Sequence, residues 1–471
     1  MKRIHFIGIC GVAMSALAIA FKKAGWTVTG SDAGFFPPIS THLKENEIDF
    51  YPGWHPDKMI KDGVPDLVVV GNVASSGNLE WIYVQEHKLN YTSYPEVIAK
   101  YFIKPNSIVC AGTYGKTTTS ALLSWILTEA GYDPSYMFGG LCIDPAFPSA
   151  EICLQVEAPR AKTWSVVEGD EYKSARWDMR PKFTHYSPTH LLLTSVVWDH
   201  ADVYPTKESY TKVFQELISS IPISGKIITC TDDPNIQQLL TYSHTHVLNY
   251  GRENADYTYS HIQQTSNGIS FHLIHDNKTY QIESPMLGDY QAANITGAFA
   301  MADEIGIAPE TIIAAIKTFS GLKRRLEKRF EGDITVFDDI AHSPAKAKAT
   351  LETLRKIYDK KIIAIFEPNT GNRRPSSAPG YDHTFNAADN VIIPALTNIK
   401  KDAHDTEDLF DEELLVDLIQ KTHPNVRSIP DDEKLIHYLH DTARPGDVIV
   451  FLGSHGFRGM IETLIKIYPN P

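Results

Sequence analysis

The sequence Ser-Ile-Val-Cys-Ala-Gly-Thr-Tyr-Gly-Lys-Thr-Thr-Thr, residues 107–119, predicts the architecture of the central part of the chain. Their first five residues form an apolar strand, which runs through a glycine-rich turn into the amphipathic helix 120–130. The backbone N–H groups of such a turn, together with the helix N-terminus, bind phosphate. Lys116 is expected to neutralise the terminal phosphates, and the Thr117 hydroxyl to bind Mg²⁺. The segment therefore predicts a nucleoside triphosphate site, although Cys110 replaces the first glycine of the strict motif.

Acidic side chains follow two further predicted strands. They are Glu168-Gly-Asp-Glu171 after the strand 164–168, and Asp199-His-Ala-Asp202 after the strand 190–196. Because the carboxyl ends of parallel strands meet at the ligand-binding edge of an α/β sheet, these groups are expected beside the phosphate turn. Carboxylate oxygens suit Mg²⁺, so the sequence predicts a metal–nucleotide site at this edge.

The chain begins with a second strand–turn–helix pattern, in which strand 4–7 is followed by Gly8-Ile-Cys-Gly-Val-Ala13. A dinucleotide fingerprint requires glycine where Cys10 and Ala13 stand, which disfavours a nicotinamide dehydrogenase. The helix N-terminus that remains can receive another diphosphate.

Composition limits the class of protein. With 471 residues, 43% of them hydrophobic, the chain is expected to form about three domains. Three successive α/β patterns place them at residues 1–106, 107–322 and 323–471. A net charge of −13 argues against a nucleic-acid binder. Five scattered cysteines without a CxxC pair favour the reducing cytoplasm, and no apolar stretch reaches the ~18 residues of a membrane helix.

The order of these motifs resembles that of the Mur ligases, the ATP-dependent amide-bond ligases of bacterial cell-wall synthesis, over essentially the whole chain. The strongest segments are Ala111-Gly-Thr-Tyr-Gly-Lys-Thr-Thr-Thr119, Glu168-Gly-Asp-Glu-Tyr172, Asp199-His-Ala-Asp202 and Arg324-Arg-Leu-Glu327. Further segments lie at 4–11, 30–32, 37–40, 71–78, 183–188, 338–339, 366–368 and 453–459.

The resemblance implies an α/β fold of three domains. These are a Rossmann-like N-terminal domain for a UDP-sugar, a central P-loop ATPase-like domain with an added antiparallel sheet, and a Rossmann-like C-terminal domain for a peptide acceptor. It implies ATP and Mg²⁺ as cofactors and small molecules as substrates, and it leaves a monomer or a homodimer open. Segments 71–78, 185–188 and 456–459 fit ligation of UDP-N-acetylmuramate to L-Ala-γ-D-Glu-meso-diaminopimelate better than ligation to L-alanine. Ligation to L-alanine stays the first alternative, and a non-catalytic UDP-sugar-binding protein the second.

Carried onto this chain, the resemblance implies four groups of site residues. ATP is bound by Gly112, Thr113, Gly115, Lys116, Thr117, Thr118, Asn294, Arg325 and Asp339. The metal is held by Thr117, Glu168 and His200. The UDP-sugar is lined by Gly8, Gly11, Ser31, Asp32 and Asn72. Catalysis involves Lys116, His200, Arg324 and Arg325.

The acceptor peptide carries several carboxylates, and arginines that follow a strand suit their recognition. The candidates are Arg373, Arg374, Lys400, Lys401, His455 and Arg458. Four positions depart from the usual residues of the family: Tyr114, Gln291, Ser343 and Asn369. They bear on adenine contacts and on the choice of acceptor, and they leave the phosphate-binding residues unchanged.

Overall fold

The computed structural model describes residues 2–35, 39–72, 74–154, 163–200, 203–397 and 409–468. The chain divides into two compact units, 1–262 with 270–285 and 290–320, and 263–269 with 286–289 and 321–471. The domain boundaries inferred from the sequence stay a prediction. Within the described ranges, every helix is too short or too polar to span a bilayer.

The first unit begins with a parallel five-stranded sheet. Its strands are β1 (Arg3–Ile7), β2 (Thr27–Asp32), β3 (Asp49–Pro52), β4 (Leu67–Val70) and β5 (Tyr91–Ser93), in the order β3-β2-β1-β4-β5. The accompanying helices are α1 (Val12–Lys23), α2 (Ile39–Glu45), α3 (Pro56–Met59), α4 (Leu79–Glu86) and α5 (Tyr94–Tyr101). The chain order reverses between β1 and β4, and ligands of such sheets bind at the carboxyl ends of the strands at this point.

A ten-stranded mixed sheet with its helices follows in the chain. Most of it belongs to the first unit, whereas residues 263–269, at the ends of two neighbouring strands, belong to the second unit. The strands of this sheet are β6 (Asn106–Ala111), β7 (Ser135–Met137), β8 (Ala150–Glu151), β9 (Trp164–Gly169), β12 (His190–Leu193), β13 (Lys226–Cys230), β14 (His246–Gly251), β15 (Tyr257–Thr265), β16 (Gly268–His275) and β17 (Lys278–Ser284). Their order is β17-β16-β15-β14-β13-β12-β6-β9-β7-β8. A separate hairpin consists of β10 (Lys173–Ala175) and β11 (Asp178–Pro181). The helices are α6 (Lys116–Glu129), α7 (Lys207–Ser220), α8 (Pro234–Leu239), α9 (Gln291–Glu304) and α10 (Pro309–Thr318).

Strand β6 lies between β9 and β12 and is parallel to both. Three adjacent carboxyl ends therefore carry the phosphate turn, the acidic segment and the residues before His200. The connections β15–β16 and β16–β17 have only two residues, which requires antiparallel strands and confirms the predicted alternation over 257–282.

Two boundaries predicted for this part of the chain are wrong, the start of α6 and the end of β12. Helix α6 begins at Lys116 and not at Ser120, because Gly115 adopts a left-handed conformation and caps it. Threonines favour helices only weakly, which hid this first turn in the sequence. Strand β12 ends at Leu193, because Thr194 turns towards the phosphate loop and its hydroxyl donates to Ala111 O.

The second unit contains a six-stranded sheet of order β18-β19-β23-β20-β21-β22, parallel except for β18 with β19. The strands are β18 (Glu327–Glu331), β19 (Thr335–Asp339), β20 (Ile362–Glu367), β21 (Asn390–Ile393), β22 (Val426–Ser428) and β23 (Val448–Gly453). The helices are α11 (Pro344–Ile357), α12 (Glu412–Gln420), α13 (Asp432–Thr442) and α14 (Met460–Ile467). Alternate residues of β20 enter two apolar clusters, with Phe366 in one and Ile365 in the other, so both faces of the sheet are covered. The expected α/β class is confirmed.

Candidate active site

Two glycines allow the phosphate turn to pass close to its neighbours. Gly112 has a φ of +135°, and a Cβ there would lie 2.3 Å from Thr194 Oγ1. Gly115 has a φ of +82°, and a Cβ there would lie 2.3 Å from Asn294 Oδ1. Since any other residue would be strained and would clash, glycine is required at both positions. Asn294 thus lies directly against the turn, as its predicted place in the ATP site requires.

Hydrogen bonds to the residues after β12 hold the turn. The N–H of Thr113 donates to Ser195 O (3.0 Å), and the N–H of Tyr114 donates to Ser195 Oγ (2.9 Å). The helical hydrogen bonds of α6 begin with Thr119 N–H to Gly115 O. The N–H groups of Lys116, Thr117 and Thr118 precede that bond, and this is the arrangement that binds a phosphate at a helix N-terminus.

Lys116 is mostly buried and lies among carboxylates. Its Nζ donates to Gly112 O (3.1 Å) and lies 3.1 Å from Glu171 Oε2. Burial alone would lower the pKa of Lys116, but Glu171, Asp170 and Glu168 together raise it above its ordinary value. The ammonium group therefore stays charged and is ready to meet phosphate.

Glu168 meets the phosphate turn through the register of the sheet. Cys110 of β6 pairs with Glu168 of β9, which brings the carboxylate to the start of α6. Its Oε1 accepts from Thr117 Oγ1 (3.0 Å), and its Oε2 accepts from Gly139 N (2.7 Å). The structure thus brings together two of the three predicted metal ligands.

The third, His200, lies beside a different acid. Its Nε2 lies 3.4 Å from Oε1 of Glu171, which is fully buried. The hydrogen bond to Glu171 raises the pKa of His200, although partial burial acts in the opposite direction. Tyr210 also donates to Glu171 (3.4 Å), so one carboxylate joins the lysine, the histidine and α7.

Sequence reasoning expected the segment 168–171 beside the phosphate turn but gave Glu171 no individual role, and it did not assign Tyr210 to the site. Glu171 belongs to the acidic segment 168–171, whose composition was the available signal. Tyr210 shares a buried face of α7 with Phe214 and Leu217, which predicts a core residue. The neighbouring Asp170 pairs with Lys182; burial alone would raise its pKa, but Lys182 and Lys116 lower it to about 2.

The N-terminal turn is held by the end of β2. The N–H groups of Gly8 and Ile9 both donate to Ser31 O, and Cys10 N–H donates to Asp32 Oδ2 (2.8 Å). Gly11 caps α1 without a side-chain hydrogen bond. Gly8, Gly11, Ser31 and Asp32, predicted for the UDP-sugar, therefore lie together at the N-terminus of α1.

Asn72, also predicted for the UDP-sugar, contacts the β10–β11 hairpin. Its Nδ2 donates to Lys173 O (3.3 Å), and its own carbonyl accepts from Arg176 Nε (3.2 Å). Trp177 of the same hairpin stacks on Trp81 at a centroid distance of 4.9 Å. The hairpin that follows the acidic segment thus fixes Asn72.

In the second unit, Asp339 accepts hydrogen bonds from Leu326 N (2.6 Å) and Ala341 N (2.8 Å). Arg324 is bound by β23 and the residues that follow it, and Arg325 is exposed. The roles predicted for these three residues stay predictions.

The predicted acceptor residues also belong to this unit. Arg373 donates to Phe410 O (3.0 Å) and Thr397 O (3.3 Å), and Arg458 forms a two-point pair with Asp432. Arg374 is partly buried and His455 is exposed. Lys400 and Lys401 lie outside the described residues, as do Pro37, Pro38 and Asp202.

Three family models match the chain. They are the catalytic domain of the Mur ligase family over residues 3–103, the Mur ligase middle domain over 110–302, and the Mur ligase glutamate ligase domain over 324–455.

Individual relatives extend this match. Two are named UDP-N-acetylmuramate–L-alanyl-γ-D-glutamyl-meso-2,6-diaminoheptandioate ligase. The one from Haemophilus influenzae is 33% identical, covering 79% of this chain and 81% of its own, and the one from Escherichia coli is 30% identical, covering 98% and 97%. A UDP-N-acetylmuramate–L-alanine ligase from Brachyspira hyodysenteriae is 30% identical, covering 96% and 95%. A crystal structure of a murein peptide ligase from Psychrobacter arcticus matches with a TM-score of 0.72 and 28% identity, covering 99% and 98%. With its phosphate turn, its acidic segment and matches along nearly its whole length, the chain belongs to the Mur ligase family.

Proposed function

We propose that the protein is an ATP-dependent ligase that joins the lactyl carboxylate of UDP-N-acetylmuramate to the amino terminus of L-Ala-γ-D-Glu-meso-diaminopimelate. The observation that carries this proposal is the convergence of Lys116, Thr117 and Glu168 on one phosphate turn. It occurs in a chain about 30% identical, over nearly its full length, to a ligase named for this reaction.

The chemistry has two steps. The carboxylate attacks the terminal phosphorus of ATP, ADP leaves, and an acyl phosphate forms. The amine then attacks the acyl carbon, loses a proton, and phosphate leaves. The first step brings two anions together, and the Lys116 ammonium offsets their repulsion and the charge of the transition state.

Mg²⁺ would be held by Thr117 and Glu168. These residues fit the ion, because both are oxygen donors and their oxygens already lie 3.0 Å apart. Mg²⁺ usually takes one or two protein ligands and completes its shell with phosphate and water, and it would supply positive charge at the transferred phosphoryl group. His200 as a further ligand would be oriented by Glu171.

The UDP-sugar would bind at the turn from Gly8 to Gly11, where the N-terminus of α1 suits a diphosphate. Ser31, Asp32 and Asn72 would line this site. The acceptor would be met by carboxylate-binding groups that include Arg374 and His455.

Phosphate release tests the proposal, with ATP, Mg²⁺, UDP-N-acetylmuramate and either the tripeptide or L-alanine, and with mass analysis of the product. We expect kcat/KM to be at least a hundredfold higher for the tripeptide, and Lys116→Ala to abolish turnover with both acceptors. A preference for L-alanine would favour the alternative that the Brachyspira relative represents. Absence of turnover with both would favour a non-catalytic UDP-sugar-binding protein.

A further inference from the structure

Arg324 uses its guanidinium group inside the second unit. Its Nη1 donates to Ser454 O (3.0 Å), and its Nη2 donates to Gly453 O (2.5 Å) and His455 O (2.8 Å). Its Nε donates to Asp338 Oδ1 (3.3 Å). Four of the five N–H donors of the side chain are therefore engaged.

Three successive carbonyl groups that meet one planar cation fix the backbone of the acceptor loop, which we define as residues 453–455. Lysine could not do the same, because its ammonium is a compact charge without the fork geometry of arginine. Asp338 is almost fully buried and faces Arg329 as well (3.4 Å), so the guanidinium group is anchored from behind by a fixed carboxylate.

The backbone of Arg324 is held as firmly as its side chain. Its φ is +59°, a conformation that non-glycine residues seldom adopt. Its N–H donates to Glu327 Oε2 (2.9 Å), and its carbonyl accepts from Ile340 N (2.8 Å). Such a conformation persists where the surroundings determine it, and it commonly occurs at functional sites.

We propose that Arg324 is the positioning residue of the acceptor loop and acts on the reaction through that loop, without touching ATP. The proposal rests on the proposed function, since the loop is assigned to the acceptor through His455. The exposed Arg325 is the matched control, because it carries the same charge one position further along the chain.

Hydrogen exchange and kinetics test this together. In Arg324→Met, we expect amide exchange over 453–456 to become at least tenfold faster and the KM for the acceptor to rise tenfold or more, with the KM for ATP within twofold. Arg324→Lys should behave in the same way, and it serves if the methionine variant does not fold. Arg325→Met should leave exchange in the loop unchanged.

Two results would overturn the proposal: unchanged exchange over 453–456 in both Arg324 variants, or a rise in the KM for ATP that equals the rise for the acceptor. The exchange measurement requires no turnover. If the tripeptide proves not to be the acceptor, the link between Arg324 and the loop is therefore still tested separately.

Discussion

Glu171→Gln should destabilise the empty protein and tighten its binding of nucleotide. Glu171 is fully buried, and its oxygens lie 3.1 Å from Lys116 Nζ and 3.4 Å from His200 Nε2. The amide has the same size and lacks the negative charge that faces these groups. The phosphates of ATP bring negative charge back to Lys116, so nucleotide replaces the missing partner.

The size of the effect follows from the burial of the pair. Removing one partner of a buried ion pair costs about 3–5 kcal/mol. Asp170 and Glu168 still face Lys116, so we expect a loss of about 2 kcal/mol in the nucleotide-free protein. If bound phosphate restores about 1.4 kcal/mol of this, linkage requires roughly tenfold tighter binding of nucleotide by the variant.

Urea unfolding with and without a non-hydrolysable ATP analogue and Mg²⁺ measures the free energy of unfolding of the empty and the nucleotide-bound protein. Calorimetric titration measures the affinity for the analogue. Glu168→Gln is the matched control: it removes the same charge at Thr117 and Gly139 and should weaken binding. A loss of both stability and nucleotide affinity in Glu171→Gln would show instead that Glu171 supports the nucleotide-bound site, and would contradict the predicted tighter binding.

Three further changes test other parts of the protein. Gly115→Ala should reduce nucleotide binding at least a hundredfold by titration, because the added Cβ would meet Asn294. Burial, with a smaller contribution from the charge of Lys226, lowers the pKa of His190 to about 4. The folded state therefore binds a proton at this histidine only at lower pH than the unfolded state does. Unfolding free energy should therefore fall as pH drops from 6.5 to 4, and His190→Gln should flatten this dependence in urea titrations. Arg373→Ala and Arg374→Ala should raise the KM for the acceptor far more than that for ATP in steady-state assays, and equal effects would count against their assignment.

Local sequence patterns were sufficient to predict the fold class. The phosphate turn and the continuous apolar runs of strands such as β20 and β23 could be recognised because each depends on neighbours in the sequence. The acidic segment was recognised for the same reason. Which of its acids meets Lys116 could not be predicted, because the alternation of faces ends with β9 and the backbone beyond it places Glu171.

Prediction from the sequence is also limited where two adjacent residues have the same chemistry. Arg324 and Arg325 are equivalent in the sequence, yet one is bound by three carbonyl groups and the other is exposed. The left-handed backbone conformation of Arg324 accompanies this difference between the two side chains. An arginine in the sequence does not predict that conformation. Asp32 and Asp339 each accept hydrogen bonds from nearby backbone N–H groups, partners that the sequence did not reveal, and their predicted ligand roles stay predictions.

The charges around the phosphate turn also make nucleotide binding depend on a divalent cation. Lys116 is already paired with Glu171, and Glu168 and Asp170 add further negative charge. At an effective dielectric constant near 20, each carboxylate about 4 Å from a phosphate would oppose binding by about 4 kcal/mol. A divalent cation reverses the sign of this interaction at Glu168. Chelation of Mg²⁺ should therefore weaken binding of the ATP analogue at least tenfold in the native protein and much less in Glu168→Gln; equal losses in the two proteins would show that Glu168 does not meet the cation.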